Sequence, residues 1–388
     1  MSGGEEAGAV TLVDRILSRA VHEGASDVHI EPRADEVRVR FRIDGVLVER
    51  SPFPEGFRAS VASRLKIMAN LDIAERRLPQ DGAFRLAVGE REVDIRLSTF
   101  PTEYGEKVVL RLLRSDREGA MLDALGMPGM VAAQLKAFAQ RSFGMLLVCG
   151  PTGSGKTSTL YGVLREIDAR ARNIVTLEDP IEYRFDDITQ AQTNPRIGFT
   201  FARGLRSMLR QDPDVIMVGE MRDAETAEIA FKAALTGHLV LSSLHTASAI
   251  ETFVRLFDMG LERYVVASAL KGMLGQRLVR RLCPQCKRPM ALSPELRRLI
   301  GVDGDQPVSV FAPMGCTACN HTGYRGRTGV FELIEADDEL TDFVKDESIT
   351  RVALREFLEN RGYRGLRTAA FDLVQRGVTS IEEVMRVT

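Results

Sequence analysis

Apolar residues recur at helical spacing over 11–22, where Leu12, Val13, Ile16, Leu17, Ala20 and Val21 share one face, so a helix with one buried side is predicted there. Strict alternation follows: Val37, Val39, Phe41 and Ile43 interleave with Arg38, Arg40 and Arg42, the pattern of a half-buried strand with an arginine-rich outer face. Asp44-Gly45 is a hairpin signal leading into Val46-Leu47-Val48. A strand over 26–31, a helix near 57–70 and strands at 83–88, 92–98 and 107–113 complete an α+β domain over 10–114. Residues 1–9, small and acidic, read as a flexible lead-in.

Beyond 114 the pattern changes. Residues 115–129 are charged and broken by glycine and proline, as a linker would be. Short apolar runs at 145–149, 174–178, 215–218 and 239–244 read as buried strands, with helices at about 201–210, 224–235, 249–258 and 264–282. This alternation predicts a mostly parallel sheet covered by helices, an α/β core over 130–282. A cysteine-bearing lobe over 283–327 comes next, then a mostly helical subdomain over 328–388 that opens with a short strand at 328–334.

Composition narrows the classes. The 388 residues carry a net charge of -2, which gives no basic footprint for nucleic acid. No apolar stretch approaches the ~20 residues of a membrane span, and Met1 to Glu6 has no signal-peptide core. The cytosol is the expected compartment. Four of the five cysteines form Cys-x-x-Cys pairs, which in reducing surroundings point to metal before disulfide. Cys149, at the end of an apolar run, reads as a small core residue.

The chemistry centres on Gly150, Pro151, Thr152, Gly153, Ser154, Gly155, Lys156 and Thr157, which spell G-x-x-x-x-G-K-T between a buried strand and a helix, with Ser158 following. Glycines let successive backbone N–H groups turn inward on phosphate oxygens, the helix N-terminus adds positive potential, Lys156 reaches the β- and γ-phosphates and Thr157 ligates Mg²⁺. The strand Asp214 to Glu220 ends in a carboxylate, and Glu220 there can orient or deprotonate an attacking water. Gly219 stands where many phosphate-loop enzymes carry the Mg²⁺-binding Asp, so the metal needs another carboxylate, and Glu178-Asp179-Pro180 offers one. His245 lies at a strand end facing the ligand crevice and is a candidate for sensing or positioning phosphate; His238, at the other end of that strand, is open between structural and functional roles. Arg203, Arg206 and Arg210 share a helical face, either solvated or at a subunit interface. Cys283, Cys286, Cys316 and Cys319 supply four thiolates, the closed structural zinc arrangement, with the 29 residues of 287–315 forming a small lobe between them. Redox use of the pairs is the competing reading.

Taken in order, these stretches resemble the GspE/PulE secretion ATPases, the motors of type II secretion and type IV pilus assembly. The resemblance runs through Gly24 to Pro32, Arg77 to Gly82, the loop at 150–157, Thr176 to Tyr183, Arg210 to Asp223, Thr236 to Thr246 and the four cysteines. It implies a RecA-like ATPase domain preceded by a PAS-like α+β domain, with ATP, Mg²⁺ and Zn²⁺ as ligands. It also implies that Glu220 is the catalytic glutamate, that Glu178 assists Mg²⁺ and water, that His245 with His238 forms a histidine box, and that Arg96 and Arg111 swing over the γ-phosphate. In this family the glycine before the catalytic glutamate is usual, which accounts for Gly219.

The family forms a homohexameric ring, peripheral at the cytoplasmic face of the inner membrane. It acts on a membrane platform protein and is recruited by the cytoplasmic domain of a second membrane protein. The tetracysteine lobe marks the assembly type rather than the retraction motors. Many relatives carry a further N-terminal domain that docks on the membrane; here the chain starts almost directly at the first domain, as in a short-form member or one that docks through another surface. Two rival readings are a nucleic-acid translocating ATPase, which DNA-stimulated, steeply salt-dependent turnover would favour, and a nucleotide-gated zinc interaction protein without meaningful hydrolysis.

Overall fold

A computed structural model describes residues 3–89, 91–114, 121–302 and 308–388. The chain divides into two compact units, Met1–Asp116 and Arg117–Thr388. Much of the stretch expected as linker, 115–120, lies outside the described residues, as do Met1 and Ser2.

In the first unit helix α1 (Gly3–His22) begins inside the stretch expected to be a flexible lead-in. The strands are β1 (Asp27–Pro32), β2 (Glu36–Ile43) and β3 (Val46–Pro54), then, after α2 (Arg58–Met68), β4 (Gln80–Val88), β5 (Arg91–Thr102) and β6 (Gly105–Arg114). They form one sheet in the order β3-β2-β1-β6-β5-β4. The alternation in β2 does what its pattern requires. Val37, Val39 and Phe41 are buried, packing in one core with Leu17 and Leu65 of the two helices and with Ile95 and Leu110 of the sheet.

The second unit opens with α3 (Gly129–Ala139), β7 (Gly144–Cys149), α4 (Lys156–Arg165), β8 (Ile174–Glu178), β9 (Thr189–Gln192), α5 (Phe201–Met208), β10 (Val215–Val218), α6 (Ala224–Leu235), β11 (Leu239–Leu244), α7 (Ala249–Asp258) and α8 (Arg263–Ala269). It continues with β12 (Leu270–Leu282), β13 (Arg288–Met290), α9 (Pro294–Leu299), β14 (Val310–Ala312), β15 (Tyr324–Glu335) and the helices α10 (Asp338–Lys345), α11 (Arg351–Asn360), α12 (Leu366–Gln375) and α13 (Ile381–Val387). The main sheet has the order β15-β12-β7-β11-β10-β8-β9. Its strands from β12 to β9 run parallel and β15 is antiparallel. Strands β7, β8, β10 and β11 are buried at every position, which is why they read as unbroken apolar runs.

One expected element is corrected. The helix predicted over 264–282 is a short helix, α8, followed by the long strand β12. Leu270, Met273 and Leu274, at i, i+3 and i+4, imitate a helical stripe, but β12 lies between β7 and β15 with both faces covered, so no alternation is needed to bury it. Gly272 and Gly275 disfavour a helix. At Gly275 the backbone passes so close to the buried Glu332 that an added Cβ would lie 2.3 Å from its carboxylate. Strand β15 also begins at Tyr324, before the strand expected at 328–334, and so joins the cysteine lobe to the main sheet.

Candidate nucleotide-binding site and metal centre

Strand β7 ends at Cys149, and the chain then turns through residues 150–155 into α4. Gly153 (φ 77°) and Gly155 (φ 89°) hold left-handed conformations, which an L side chain would strain. Gly150 needs its missing side chain for space, since a Cβ there would meet the Gln276 carbonyl at 2.5 Å. Lys156, only 8 % exposed, donates from Nζ to the carbonyls of Gly150 (2.9 Å) and Pro151 (3.1 Å). Burial and the nearby Arg277 guanidinium depress its pKa against the opposing pull of Glu220, so an anion arriving at the loop would find an under-compensated ammonium. Ser154 Oγ is buried and has no hydrogen-bond partner among the described residues. Backbone turned by glycine, an enclosed lysine and an orphaned hydroxyl together fit a phosphate chain. Thr157 is exposed in the first turn of α4, where its hydroxyl is open to a metal. Burial pushes the Cys149 thiol up to about 11, which agrees with an inert core cysteine.

Sheet order brings the other groups to the loop. Strand β11 lies directly beside β7, and β10 beside β11, so the C-terminal ends of these strands carry His245 and Glu220 next to Lys156. His245 Nδ1 is 3.5 Å from Lys156 Nζ and its Nε2 is 2.8 Å from Glu220 Oε2. Because an ammonium only donates, Nδ1 faces it as acceptor and Nε2–H donates to Glu220. Arg222 Nε donates to Glu220 Oε1 (2.8 Å), and the same guanidinium lies 3.2 Å from Asp179. Lys156, His245, Glu220, Arg222 and Asp179 thus make one continuous row across four strand ends. Burial alone would raise the Glu220 pKa; the bonds from Arg222 and His245 outweigh it and hold the carboxyl below its ordinary value. The loops are fixed by their helix caps: Asp223 accepts from Thr226 N (2.8 Å) to start α6, and Ser248 accepts from Glu251 N (3.2 Å) to start α7. Asp179 lies in the Glu178-Asp179-Pro180 stretch that the sequence offers as a carboxylate source, whereas nothing in the sequence assigns a role to Arg222. Arg222 stands two residues after Glu220, and that proximity was the available signal.

Glu178 behaves otherwise. It is 2 % exposed at the end of β8, where it accepts from the Tyr161 hydroxyl, from Thr176 Oγ1 (2.6 Å) and from Gln190 Nε2 (3.1 Å). Burial raises its pKa despite these bonds. Strands β10 and β11 separate β8 from the loop strand. Both of its oxygens accept from neutral donors, one of them the Tyr161 hydroxyl of α4, a turn beyond Thr157, whereas its neighbour Asp179 is the acid that joins the row. His238 lies apart from the row, at the opposite end of β11, as expected from the sequence. It precedes β11, roughly 20 Å from His245 at ~3.3 Å per residue, and its Nδ1 bonds the Ala233 carbonyl (3.0 Å) at the end of α6. Arg203, Arg206 and Arg210 find partners on or next to their own helix: Gly198 O, Glu225, and Arg206 O with Ser207.

In the first unit Arg96 and Arg111 are directly paired across β5 and β6, and Arg111 is paired with Asp27 of β1, which is paired with Arg42 of β2. Arg111 Nε lies 3.2 Å from Asp27 Oδ1 with its side chain 61 % exposed. The two arginines therefore stand side by side on the open face of the sheet.

The four cysteine sulfurs lie within 4.8 Å of one another. Cys283–Cys316, Cys286–Cys319 and Cys316–Cys319 are 3.9, 3.8 and 3.7 Å apart. Four thiolates at ~2.3 Å around a tetrahedral ion stand about 3.8 Å apart, so the donor set fits Zn²⁺. The N–H groups of Cys316 and Gly323 donate to Cys319 Sγ at 3.2 and 3.3 Å, which would steady a thiolate.

A glycine-rich loop between a central parallel strand and a helix, with an acid and a histidine at the neighbouring strand ends, defines a P-loop nucleoside triphosphatase. The sequence matches the family described as Type II/IV secretion system protein over residues 4–386, and the chain belongs to that family as a secretion ATPase. It is similar to the "Type II secretion system ATPase E" of Vibrio cholerae, 47 % identical over 99 % of this chain and 76 % of that one. Similarity to the "Type IV pilus assembly ATPase PilB" of Thermus thermophilus is 44 % identity over 99 % of this chain and 43 % of that one. Among solved structures the fold resembles the pilus retraction motor PilT with bound ADP (TM-score 0.62, 26 % identity, 96 % of each chain covered). It also resembles the Legionella pneumophila ATPase DotB in fold (TM-score 0.71, 21 % identity, 97 % of this chain and 95 % of that one).

Proposed function

We propose that this chain is an ATP-hydrolysing motor that drives assembly of a type II secretion pseudopilus or a type IV pilus. The observation that supports it most is the contiguous row of Lys156, His245 and Glu220 beside the phosphate loop. In this reading the loop amides and Lys156 hold the triphosphate, and Glu220 takes a proton from water attacking the γ-phosphorus. His245, bonded to Glu220 and facing Lys156, sets the carboxylate's direction and senses whether the terminal phosphate is present. Mg²⁺, held by Thr157 Oγ1 and the phosphate oxygens, would neutralise charge developing on the leaving group. Arg96 and Arg111 are assigned to the γ-phosphate when the first unit of a subunit closes over a nucleotide, where delivered guanidinium groups raise turnover by ~10³–10⁵. Zn²⁺ on the four cysteines is assigned a structural role, since a full thiolate set leaves no position for substrate.

The motor would work as a homohexamer, peripheral at the cytoplasmic face of the inner membrane, on a membrane platform protein and through a membrane recruitment protein. Steady-state ATPase measurements with parallel nucleotide titrations test the site. Lys156→Ala is expected to abolish nucleotide binding, and Glu220→Gln to bind ATP normally while turnover falls at least about a hundredfold. Undiminished turnover in Glu220→Gln would remove Glu220 from the reaction.

A further inference from the structure

We propose that Gln276, on β12, is a positioning residue that sets the phosphate-binding loop in its anion-receiving form before nucleotide arrives. The inference rests on the reading of that loop as the nucleotide site. In the parallel pairing of β12 with β7, Gly275 lies opposite Cys149, so Gln276 comes level with Gly150, the first residue of the loop. Its side chain is 2 % exposed and makes two short bonds: Nε2 donates to the Ser154 carbonyl (2.7 Å), and Oε1 accepts from Thr159 Oγ1 (2.7 Å). A carbonyl can only accept, so the amide nitrogen must face Ser154, and the oxygen is left for the hydroxyl. One amide therefore ties the loop to the first turn of α4 and both to the sheet.

The bond to Ser154 carries the consequence. In a trans peptide the C=O and the following N–H point in opposite directions. Holding the Ser154 carbonyl on the β12 side turns the Gly155 N–H away from β12, free of the strand that backs the loop. The fit leaves no slack, because a Cβ at Gly155 would lie 2.8 Å from Gln276 Nε2 and one at Gly150 would lie 2.5 Å from the Gln276 carbonyl. Gln276 is thus the floor on which both glycines rest. A loop set in advance does not have to be ordered by the nucleotide, and affinity gains accordingly. Glutamate at 276 would keep the length and the bond from Thr159, but would present an acceptor to the Ser154 carbonyl and release that peptide.

The experiment compares the full chain with Gln276→Glu and Gln276→Met, the latter keeping side-chain length without a donor. Dissociation constants are measured with a fluorescent ADP analogue and Mg²⁺, alongside kcat and KM for ATP and the melting temperature without nucleotide. The expected result is a dissociation constant raised about tenfold or more in both variants. KM should rise in step, with the loss concentrated in KM rather than kcat. A residue that merely stabilised the fold would lower the nucleotide-free melting temperature and the folded fraction, yet leave the affinity of folded molecules unchanged. Parental affinity in the folded variants overturns the proposal, as does a loss confined to kcat. Should Gln276→Glu fail to fold, the affinity of Gln276→Met decides by the same criterion. Failure of the parent chain to bind the ADP analogue would instead strike the nucleotide-site reading itself.

Discussion

Two carboxylates at neighbouring strand ends titrate in opposite directions, and their surroundings explain why. Glu220 is met by a guanidinium and an imidazole, which hold it ionised. Glu178 is met by a phenol, a threonine hydroxyl and an amide, all neutral, and burial raises its pKa. Below the unfolded-state value of 4.5 both states of Glu178 are protonated; as pH rises above it, the unfolded chain releases a proton that the folded chain keeps, so folding loses stability until the raised folded value is passed. Glu178→Gln can keep the same three partners with its amide nitrogen toward the Tyr161 hydroxyl. Its melting temperature is therefore expected to fall less than the parent's between pH 5 and pH 8, a comparison calorimetry makes directly. The variant should also keep more ATPase activity than Glu220→Gln. Equal loss in both would return Glu178 to the reaction.

At the scale of elements, chemistry held in short contiguous patterns was legible from the sequence and chemistry assembled by strand pairing was not. The loop at 150–157 and the two cysteine pairs each lie within a few residues, so spacing alone reveals them. Strand β12 has no such signature, and its reading as helix hid Gln276 behind the loop. The cysteine lobe combines both kinds, since its ligands are legible but its attachments are not. Leu282 N donates to the Val378 carbonyl, Cys283 N to the Gly323 carbonyl, and Lys287 Nζ to the Gly377 carbonyl at 2.8 Å. The cysteine cluster is therefore stitched to the turn between α12 and α13 as well as to the start of β15. Metal analysis is expected to find one zinc per chain. Its removal by a chelator, or Cys286→Ser, should abolish amide-exchange protection across 283–327 and weaken it in α12 and α13. Structural zinc contributes on the order of 10 kcal/mol to folding such a lobe. Unchanged exchange after metal removal would deny the centre a structural role.

For the whole molecule, the proposed motor draws on two units with different contents. The second carries the loop, the acid and the histidine, and the first contributes an open sheet face on which Arg42, Asp27, Arg111 and Arg96 stand in one cross-strand row. Arg111→Ala removes a guanidinium that is 61 % exposed, so little stability should be lost. Turnover in the assembled ring is expected to fall roughly tenfold or more, while ATP affinity stays near the parental value. Stopped-flow nucleotide binding beside steady-state rates would check this, and a proportional loss of affinity would place Arg111 in ground-state binding instead. No helix among the described residues is long and apolar enough to cross a membrane.

The amino-acid order alone determined the phosphate loop, the four thiolates and the presence of Glu220 and His245 at strand ends. Each depends on backbone geometry over a handful of neighbouring residues, which local sequence controls. Tertiary structure decided which of those groups meet. It surrounded Glu178 with neutral donors and brought Arg222 and Asp179 into the row with Glu220. It also laid Gln276 under a loop more than a hundred residues earlier in the chain. The physical reason is that a strand buried on both faces selects its neighbours by packing and backbone pairing across the whole sheet, and no local period records that choice.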